Sequence, residues 1–322
     1  MESDALPLLP LRIGISSCLL GNPVRFDAGH KYSAYITQTL GEYFEFVPFC
    51  PEVAIGLGIP RPPIRLVSVD GSIRVRAVEN PEQDVTDALI ENGRAVARRL
   101  CDVSGYLFKE GSPSCGMERV KVYQAPSGRP LESSAGLFAG TIMRALPELP
   151  VEEEGRLMDP RLRENFIERV FIYHRWHCYG ASGMTPAALA DFHTRHKFNV
   201  LAHDEPVYRE LGRLVADAGR RDITEAAAEY IRVLMRALAK IATPKQHAKV
   251  LMLIMDFFKH DIDSNDKAEL LGLIDAYRQE QVPLIVPLTL IHHHLRCHPN
   301  DYISSQSYIN PHPRELMLRN RI

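Results

Sequence analysis

Three cysteines each follow directly on a short apolar segment with the pattern of a β-strand, in "IGISSC", "FVPFC" and "YLFKEGSPSC". They are Cys18, Cys50 and Cys115, and their spacing of 32 and then 65 residues is too wide for a zinc finger or ribbon. In a parallel sheet, however, the carboxyl ends of the strands open onto one crevice where ligands bind. The pattern therefore predicts that the three thiols meet at that crevice.

Three thiolates without a fourth suit two kinds of catalytic metal group. One is an iron–sulfur cluster with one iron that the protein does not ligate, and the other is a zinc ion with an open position. The alternative is three unrelated loop cysteines. Six cysteines in 322 residues do not have the density of a secreted disulfide scaffold, so we expect reduced thiols.

Polar side chains beside these cysteines could do acid–base work. Glu52 follows Cys50 by two residues, and the segment after Cys18 brings Arg25 and Asp27 toward the same crevice. Glu52 or Asp27 could act as a general base. The alternative for Asp27 is capping of a turn.

Two serines precede Cys115 in "GSPSCG", namely Ser112 and Ser114. Either hydroxyl could position a substrate, and we assign Arg25 and Ser114 to substrate contact. For Ser114 the alternative is again a role in holding the turn.

The segments that must position these residues alternate short apolar runs with helical pattern, from "RIGISS" to "GYLFKE". This alternation predicts an α/β, Rossmann-like domain with a mostly parallel sheet. Within it, "IRLVSVDGSIRVRAV" predicts a small β-hairpin insertion that turns at Asp70 and Gly71.

Composition shifts near residue 160, which predicts two domains, 1–160 and 161–322. The first has 16 Lys and Arg against 21 Asp and Glu, and the second has 22 against 19 together with twelve of the thirteen histidines. The second shows apolar residues at helical spacing, which predicts an all-helical domain of six to eight helices. Thr185 before Pro186 and Thr243 before Pro244 predict two helix starts.

Three blocks of the first half, "SSCLLGNPVRFDAG", "PFCPEVAIGLGIPRPPIRL" and "KEGSPSCG", resemble the signature segments of the TudS-like thiouracil desulfidase family. The resemblance covers residues 11 to 150. In the second half, "HKFNVLAHD", "PLIVPLTLI" and "YISSQSYINPHPRELMLRN" resemble a helical module. The two together resemble the RudS-type desulfidases, which remove sulfur from 4-thiouridine in tRNA.

The resemblance implies a [4Fe-4S] cluster held by Cys18, Cys50 and Cys115, with the fourth iron free to take the sulfur of a thiocarbonyl. It also implies catalytic roles for Glu52 and Ser112. The predicted reaction replaces sulfur by oxygen without net redox change. Two alternatives stay open: a desulfidase of free thiouracil or thiolated nucleotides, and a non-catalytic iron–sulfur sensor, against which the nearby Glu52 and Ser112 argue.

Cations interleaved with aromatic residues in the second half suit an RNA surface, since phosphates attract cations and bases stack on rings. We expect tRNA to contact Arg175, Lys197 and Arg213, although solvated helix faces are the alternative at this modest net charge. We also expect the C-terminal segment "QSYINPHPRELMLRN" to be docked.

The other three cysteines have different predicted roles. Cys101 ends a helical run and is predicted to be buried in the core, whereas Cys178 and Cys297 lie among histidines and leave a second metal site open. No segment is long and apolar enough for a membrane span, and the first residues lack the pattern of a signal peptide, so we expect a cytoplasmic protein. The sequence predicts no particular oligomeric state.

Overall fold

The structure, a computed structural model, describes residues 9–125 and 127–320. It divides between Asp159 and Pro160 into two compact units. The first unit is α/β and the second is helical, which confirms the predicted fold class.

Among its described residues, the α/β unit contains two four-stranded sheets and three α-helices. The strands are β1 (Arg12–Ser16), β2 (Glu45–Phe49), β3 (Ile64–Val69), β4 (Ser72–Ala77), β5 (Val103–Phe108), β6 (Val120–Gln124), β7 (Pro130–Ser134) and β8 (Val151–Glu153). The helices are α1 (Pro51–Ala54), α2 (Thr86–Ala97) and α3 (Leu137–Ala145).

The first sheet has the strand order β2-β1-β5-β8, and all its pairs are parallel. The inner strands β1 and β5 are almost wholly buried, as their continuous apolar runs require. Gly14 of β1 lies opposite Tyr106 of β5, and a Cβ at Gly14 would stand 2.4 Å from Cδ2 of Tyr106. The tyrosine ring therefore occupies the space that a side chain at position 14 would need.

The second sheet is mixed, with the order β4-β3-β6-β7. Asp70 and Gly71 both have positive φ, 49° and 77°, as a tight hairpin turn between β3 and β4 requires, which confirms the predicted hairpin. The prediction of a small insertion was wrong, because β3 also pairs in parallel with β6. Hairpin signals are local, whereas this pairing joins segments far apart in sequence.

The helical unit has eight α-helices between residues 160 and 320, in agreement with the predicted six to eight. They are α4 (Pro160–Ala181), α5 (Pro186–His203), α6 (Glu205–Asp217), α7 (Ile223–Leu238), α8 (Pro244–Met255), α9 (Ser264–Arg278), α10 (Ile285–Cys297) and α11 (Asp301–Ser304). No helix among the described residues is both long and apolar enough to cross a membrane.

Two helix starts follow the capping rules used to predict them. The Thr185 hydroxyl accepts a hydrogen bond from the Ala188 amide at 3.1 Å. Thr243 accepts one from the Gln246 amide at 3.3 Å, and the Gln246 side chain accepts one in return from the Thr243 amide. Both predicted N-caps are confirmed.

Aromatic rings fill the centre of the helical unit. Trp176 stacks on Tyr230, with ring centroids 5.6 Å apart, and meets Phe192 edge-on at 5.1 Å. The C-terminal segment packs into the same unit, because Tyr308 is fully buried and its hydroxyl bonds His247 Nδ1 at 2.9 Å. The predicted docking of this segment is therefore confirmed.

A buried ionic cluster ties this segment to α4. Arg319 donates to Glu164 at 3.1 Å and to the Tyr308 carbonyl at 2.8 Å. Glu168 accepts from Asn199 at 2.5 Å and lies 3.7 Å from His203 Nε2. Burial opposes ionisation of Glu168, but its polar partners outweigh burial and hold the pKa of Glu168 far below its usual range.

Candidate active site

The three predicted cysteines line a single cavity of about 310 Å³ at the carboxyl ends of β1, β2 and β5. Cys18 lies in a 3₁₀ turn directly after β1, Cys50 caps the start of α1 after β2, and Cys115 lies in the loop after β5. The wide sequence spacing thus becomes one shared site, as the parallel sheet requires.

The thiols are shielded from solvent. Cys18 and Cys115 are buried and Cys50 is half-buried. Burial raises the pKa of Cys18 to about 11, and burial likewise raises the pKa values of Cys50 and Cys115. A cationic metal group would favour the thiolate forms that burial disfavours.

Both predicted metal groups draw on the same three thiols. A catalytic zinc ion takes its protein ligands on one centre, whereas an iron–sulfur cluster offers a separate iron to each cysteine. Among the described residues, no three His, Cys, Asp or Glu side chains form a group that could hold one metal ion.

Glu52 projects into the same cavity from the first turn of α1. Its Oε1 accepts a hydrogen bond from the Ser114 hydroxyl at 2.9 Å, and its Oε2 accepts one from Arg61 Nε at 2.9 Å. Arg61 also donates to the carbonyls of Gly58 at 2.8 Å and Val24 at 2.9 Å. The carboxylate is therefore fixed through both oxygens, by one neutral and one charged donor.

Ser112 lines the cavity and organises the loop that carries Cys115. Its hydroxyl oxygen accepts hydrogen bonds from the amides of Cys115 at 3.1 Å and Ser114 at 3.3 Å. These two bonds use the lone pairs of the Ser112 oxygen. Its hydrogen is therefore left to donate to another acceptor.

Two predicted assignments at this site need correction. Ser114 is fully buried, does not line the cavity and bonds Glu52, so it positions the carboxylate instead of touching substrate. Asp27 is exposed outside the cavity lining and accepts the Gly29 amide at 3.0 Å, a turn-capping role. That bond is the main reason why the pKa of Asp27 is lowered. Arg25, as expected, lines the cavity.

The prediction that Arg175 of the helical unit contacts RNA needs correction. It donates to the Ser307 hydroxyl at 2.8 Å and to the Pro311 carbonyl at 2.7 Å, and burial lowers the pKa of Arg175 to about 10. It anchors the C-terminal segment. Lys197 places its ammonium 5.0 Å from the centre of the Tyr302 ring, and Arg213 is exposed on α6.

The other cysteines do not form a second metal site in the described part of the chain. Cys178 and Cys297 each have one nearby imidazole, from His174 at 3.8 Å and from His293 at 3.7 Å. The prediction that Cys101 is buried was wrong. α2 ends at Ala97, so Cys101 lies exposed in the turn that leads to β5.

Two residues of the site were missed in the sequence. Arg61 lies within a signature block, but nothing local indicated that it would pair with Glu52. Ser16 lies on a strand and was counted only as a strand residue, although it lines the cavity and its hydroxyl oxygen accepts a hydrogen bond from the Lys109 amide at 3.0 Å. A polar residue on a buried inner strand next to a cysteine crevice was the signal available for it.

Comparison with known proteins identifies this architecture. A family model described as 2-thiouracil desulfurase matches residues 13–154, the span that builds the three-cysteine cavity. The chain therefore carries a 2-thiouracil desulfurase domain, which makes up less than half of its length. Its α/β unit is the desulfidase domain of an enzyme, as predicted, and residues 197–313 of the helical unit match a second family model, a protein of unknown function named DUF1722.

The chain is also similar to a curated relative, "Uncharacterized protein YbgA" of Escherichia coli (strain K12). The two are 35% identical over 160 residues, which is 49% of this chain and 95% of the relative. Among solved structures, the [4Fe-4S]-dependent thiouracil desulfidase TudS is 28% identical, with a TM-score of 0.36, over 46% of this chain and 94% of that chain.

Proposed function

We propose that this desulfidase carries a [4Fe-4S] cluster and converts 4-thiouridine in tRNA to uridine with release of sulfide. One observation carries the proposal: a carboxylate fixed by Ser114 and Arg61 shares one cavity with three cysteines. Metal ligands together with a positioned base are what a hydrolytic replacement of sulfur needs.

Cys18, Cys50 and Cys115 would hold the cluster. The fit rests on the donor set, because three thiols that line one cavity leave one iron of a [4Fe-4S] cluster without a protein ligand. When bound, the cluster supplies a soft iron for the sulfur of a thiocarbonyl, which makes the attached carbon more electrophilic.

The chain's own residues supply the acid–base steps. Each oxygen of Glu52 receives one hydrogen bond from the protein, which leaves a lone pair on each to accept a proton from water. The resulting hydroxide forms the new carbon–oxygen bond as the carbon–sulfur bond breaks. The Ser112 hydroxyl can donate a hydrogen bond to the thiolated nucleobase and orient it. Water and a thiocarbonyl thus give a carbonyl and hydrogen sulfide, without an oxidant or a reductant.

A cavity of about 310 Å³ suits a single pyrimidine and not a stack of bases. A thiolated base within folded tRNA must therefore turn outward to reach Glu52. Free thiouracil or a thiolated nucleotide would fit the same cavity and remains the alternative substrate.

An aromatic platform on the helical unit favours RNA over a free base. Phe257, which is 42% exposed, stacks on Tyr302 with ring centroids 5.2 Å apart. The Lys197 ammonium lies over the same tyrosine at 5.0 Å. An exposed ring beside a cation is the combination that binds single-stranded RNA by stacking and charge.

The test is anaerobic reconstitution with iron and sulfide, followed by incubation with tRNA that contains 4-thiouridine and, separately, with thiouracil. Loss of the thiocarbonyl absorbance of the tRNA, with matching sulfide release, is the expected result. Loss with thiouracil alone would indicate the alternative substrate. A fully loaded protein that is inactive on both would indicate a sensor and contradict the proposal.

A further inference from the structure

We propose that the phenyl ring of Phe26 stacks on the thiolated base and positions it in the three-cysteine cavity. The inference rests on the proposed function and adds to it the residue that recognises the flat face of the substrate.

Two phenyl rings lie in the described lining of the cavity, and they differ in their surroundings. Phe49 is half-buried and stacks on Tyr106, with ring centroids 6.1 Å apart. Phe26 is 38% exposed, and the guanidinium carbon of Arg25 lies over its ring at 5.3 Å from the centre. An aromatic ring that lines a ligand-sized cavity and keeps part of its surface open can accept a planar ligand by stacking.

The backbone holds this ring in place through three hydrogen bonds. The turn that carries Phe26 is closed by bonds from the Ala28 amide to the Arg25 carbonyl at 3.0 Å and from the Arg25 amide to the Gly29 carbonyl at 3.2 Å. The Phe26 carbonyl itself accepts a hydrogen bond from the Arg61 amide at 2.9 Å. A ring whose backbone is fixed beforehand loses little conformational freedom when a ligand binds, which favours affinity.

The same segment connects the ring to the reacting groups. Arg61, whose amide holds the Phe26 backbone, also donates from Nε to Glu52 at 2.9 Å. The carbonyl oxygen of Val24, two residues before Phe26, lies 3.7 Å from Cys50 Sγ. A base stacked on Phe26 therefore lies in the cavity that also holds the carboxylate and the thiols.

Stacking determines which kinetic constant Phe26 affects. A stack contacts the flat face of a base and not its edge, so it selects a planar ring and leaves the position of the sulfur to other residues. The contact is the same before and during the replacement of sulfur by oxygen. Its loss should therefore weaken substrate binding and leave the chemical step almost unchanged.

The experiment measures kcat, KM and iron content of Phe26→Leu and Phe26→Tyr, as full chains reconstituted anaerobically, with tRNA that contains 4-thiouridine. We expect Phe26→Leu to raise KM about 10-fold, the effect of losing one base stack, with little change in kcat. Phe26→Tyr should keep the KM of the wild type, because it keeps the ring. An unchanged KM in Phe26→Leu overturns the inference.

Tyr123→Leu is the matched control. Tyr123 also lies under a guanidinium, that of Arg65 at 5.3 Å, but outside the cavity lining, so we expect no change in KM. A rise in KM as large as that of Phe26→Leu would show that the effect is not specific to the cavity and overturn the inference. A wild-type chain that desulfurises neither tRNA nor thiouracil would instead contradict the proposed function.

Photocrosslinking gives a second measurement that does not depend on turnover. Near-ultraviolet light joins 4-thiouridine to side chains in contact with its base. We expect Glu52→Gln, irradiated with tRNA that contains 4-thiouridine and digested with trypsin, to carry the adduct on the peptide of residues 26–31. An adduct on Phe49, with none on residues 26–31, would assign the base to the other ring and overturn the inference.

Discussion

Arg61 donates from Nε to Oε2 of Glu52 at 2.9 Å, within a pair whose side chains are 3% and 13% exposed. Charges so far removed from water are costly unless each finds its partner in good geometry. The Arg61 guanidinium also donates hydrogen bonds to the carbonyls of Gly58 and Val24, and these bonds hold it beside the carboxylate. The segment that follows α1 thus fixes the base that α1 presents to the cavity.

Replacement of Arg61 should therefore impair turnover without loss of the metal group. We expect Arg61→Ala to lower kcat by about 10²-fold, because small displacements of a catalytic group have effects of this size. Arg61→Lys should recover part of the loss, since it restores the charge but not the planar set of donors. The measurements are kcat, KM and iron content. Arg65→Ala is the control, since Arg65 lies over Tyr123. A fully active Arg61→Ala protein would show that the pair is only structural.

Replacement of Glu52 by Gln removes the base and keeps the shape of the side chain. We expect a loss of about 10² to 10⁴ in kcat, the usual contribution of a general base, with unchanged cluster absorbance. Glu110, another acid of the cavity lining, provides the matched control as Glu110→Gln. If Glu52→Gln kept its activity while Glu110→Gln lost it, the base would be Glu110 and the proposed mechanism would be wrong.

Two buried histidines should make the helical unit sensitive to acid. Burial lowers the pKa values of His196 and His247 to about 3, whereas the unfolded chain titrates near the usual value of about 6.5. Below about pH 6.5 the unfolded chain therefore binds more protons than the folded one, and the free energy of unfolding falls as the pH drops toward 3. Each such histidine contributes up to about 1.4 kcal/mol per pH unit in that window.

Guanidinium unfolding followed by circular dichroism at about pH 7 and about pH 5 measures this slope. We expect His196→Gln to reduce the slope and His30→Gln, an exposed position, to leave it unchanged. Equal slopes for wild type and His196→Gln would refute the assignment.

The aromatic platform gives a prediction for RNA. We expect Lys197→Glu to weaken binding of tRNA several-fold, and to flatten the dependence of affinity on salt, because one cation near the phosphates is lost. Lys121→Glu, an exposed change on β6, should have little effect on affinity. Equal affinities of the two variants in a filter-binding or anisotropy titration would exclude Lys197 from the RNA surface.

Local rules were enough to predict part of this site from the sequence. Strand patterns that end in cysteine, combined with the geometry of a parallel sheet, correctly predicted that Cys18, Cys50 and Cys115 line one cavity. Thr185 and Thr243 followed the capping rules because a cap depends on only three or four residues.

The rest depended on contacts that no local pattern encodes. The pairing of β3 with β6, and the bond between Ser114 and Glu52, 62 residues apart, arise only from the tertiary fold. Cys101 was misassigned because a helical pattern does not show where a helix ends, and an error of a few residues moved the thiol from the core to the surface.

Trp176 is the single tryptophan of the chain, and it lies among the aromatic rings of the helical unit. Its fluorescence therefore reports on the helical unit, whereas the visible absorbance of an iron–sulfur cluster would report on the α/β unit. The two halves thus carry separate optical labels without any engineering. A single stopped-flow sample could then show whether RNA engages the helices before sulfur leaves the base.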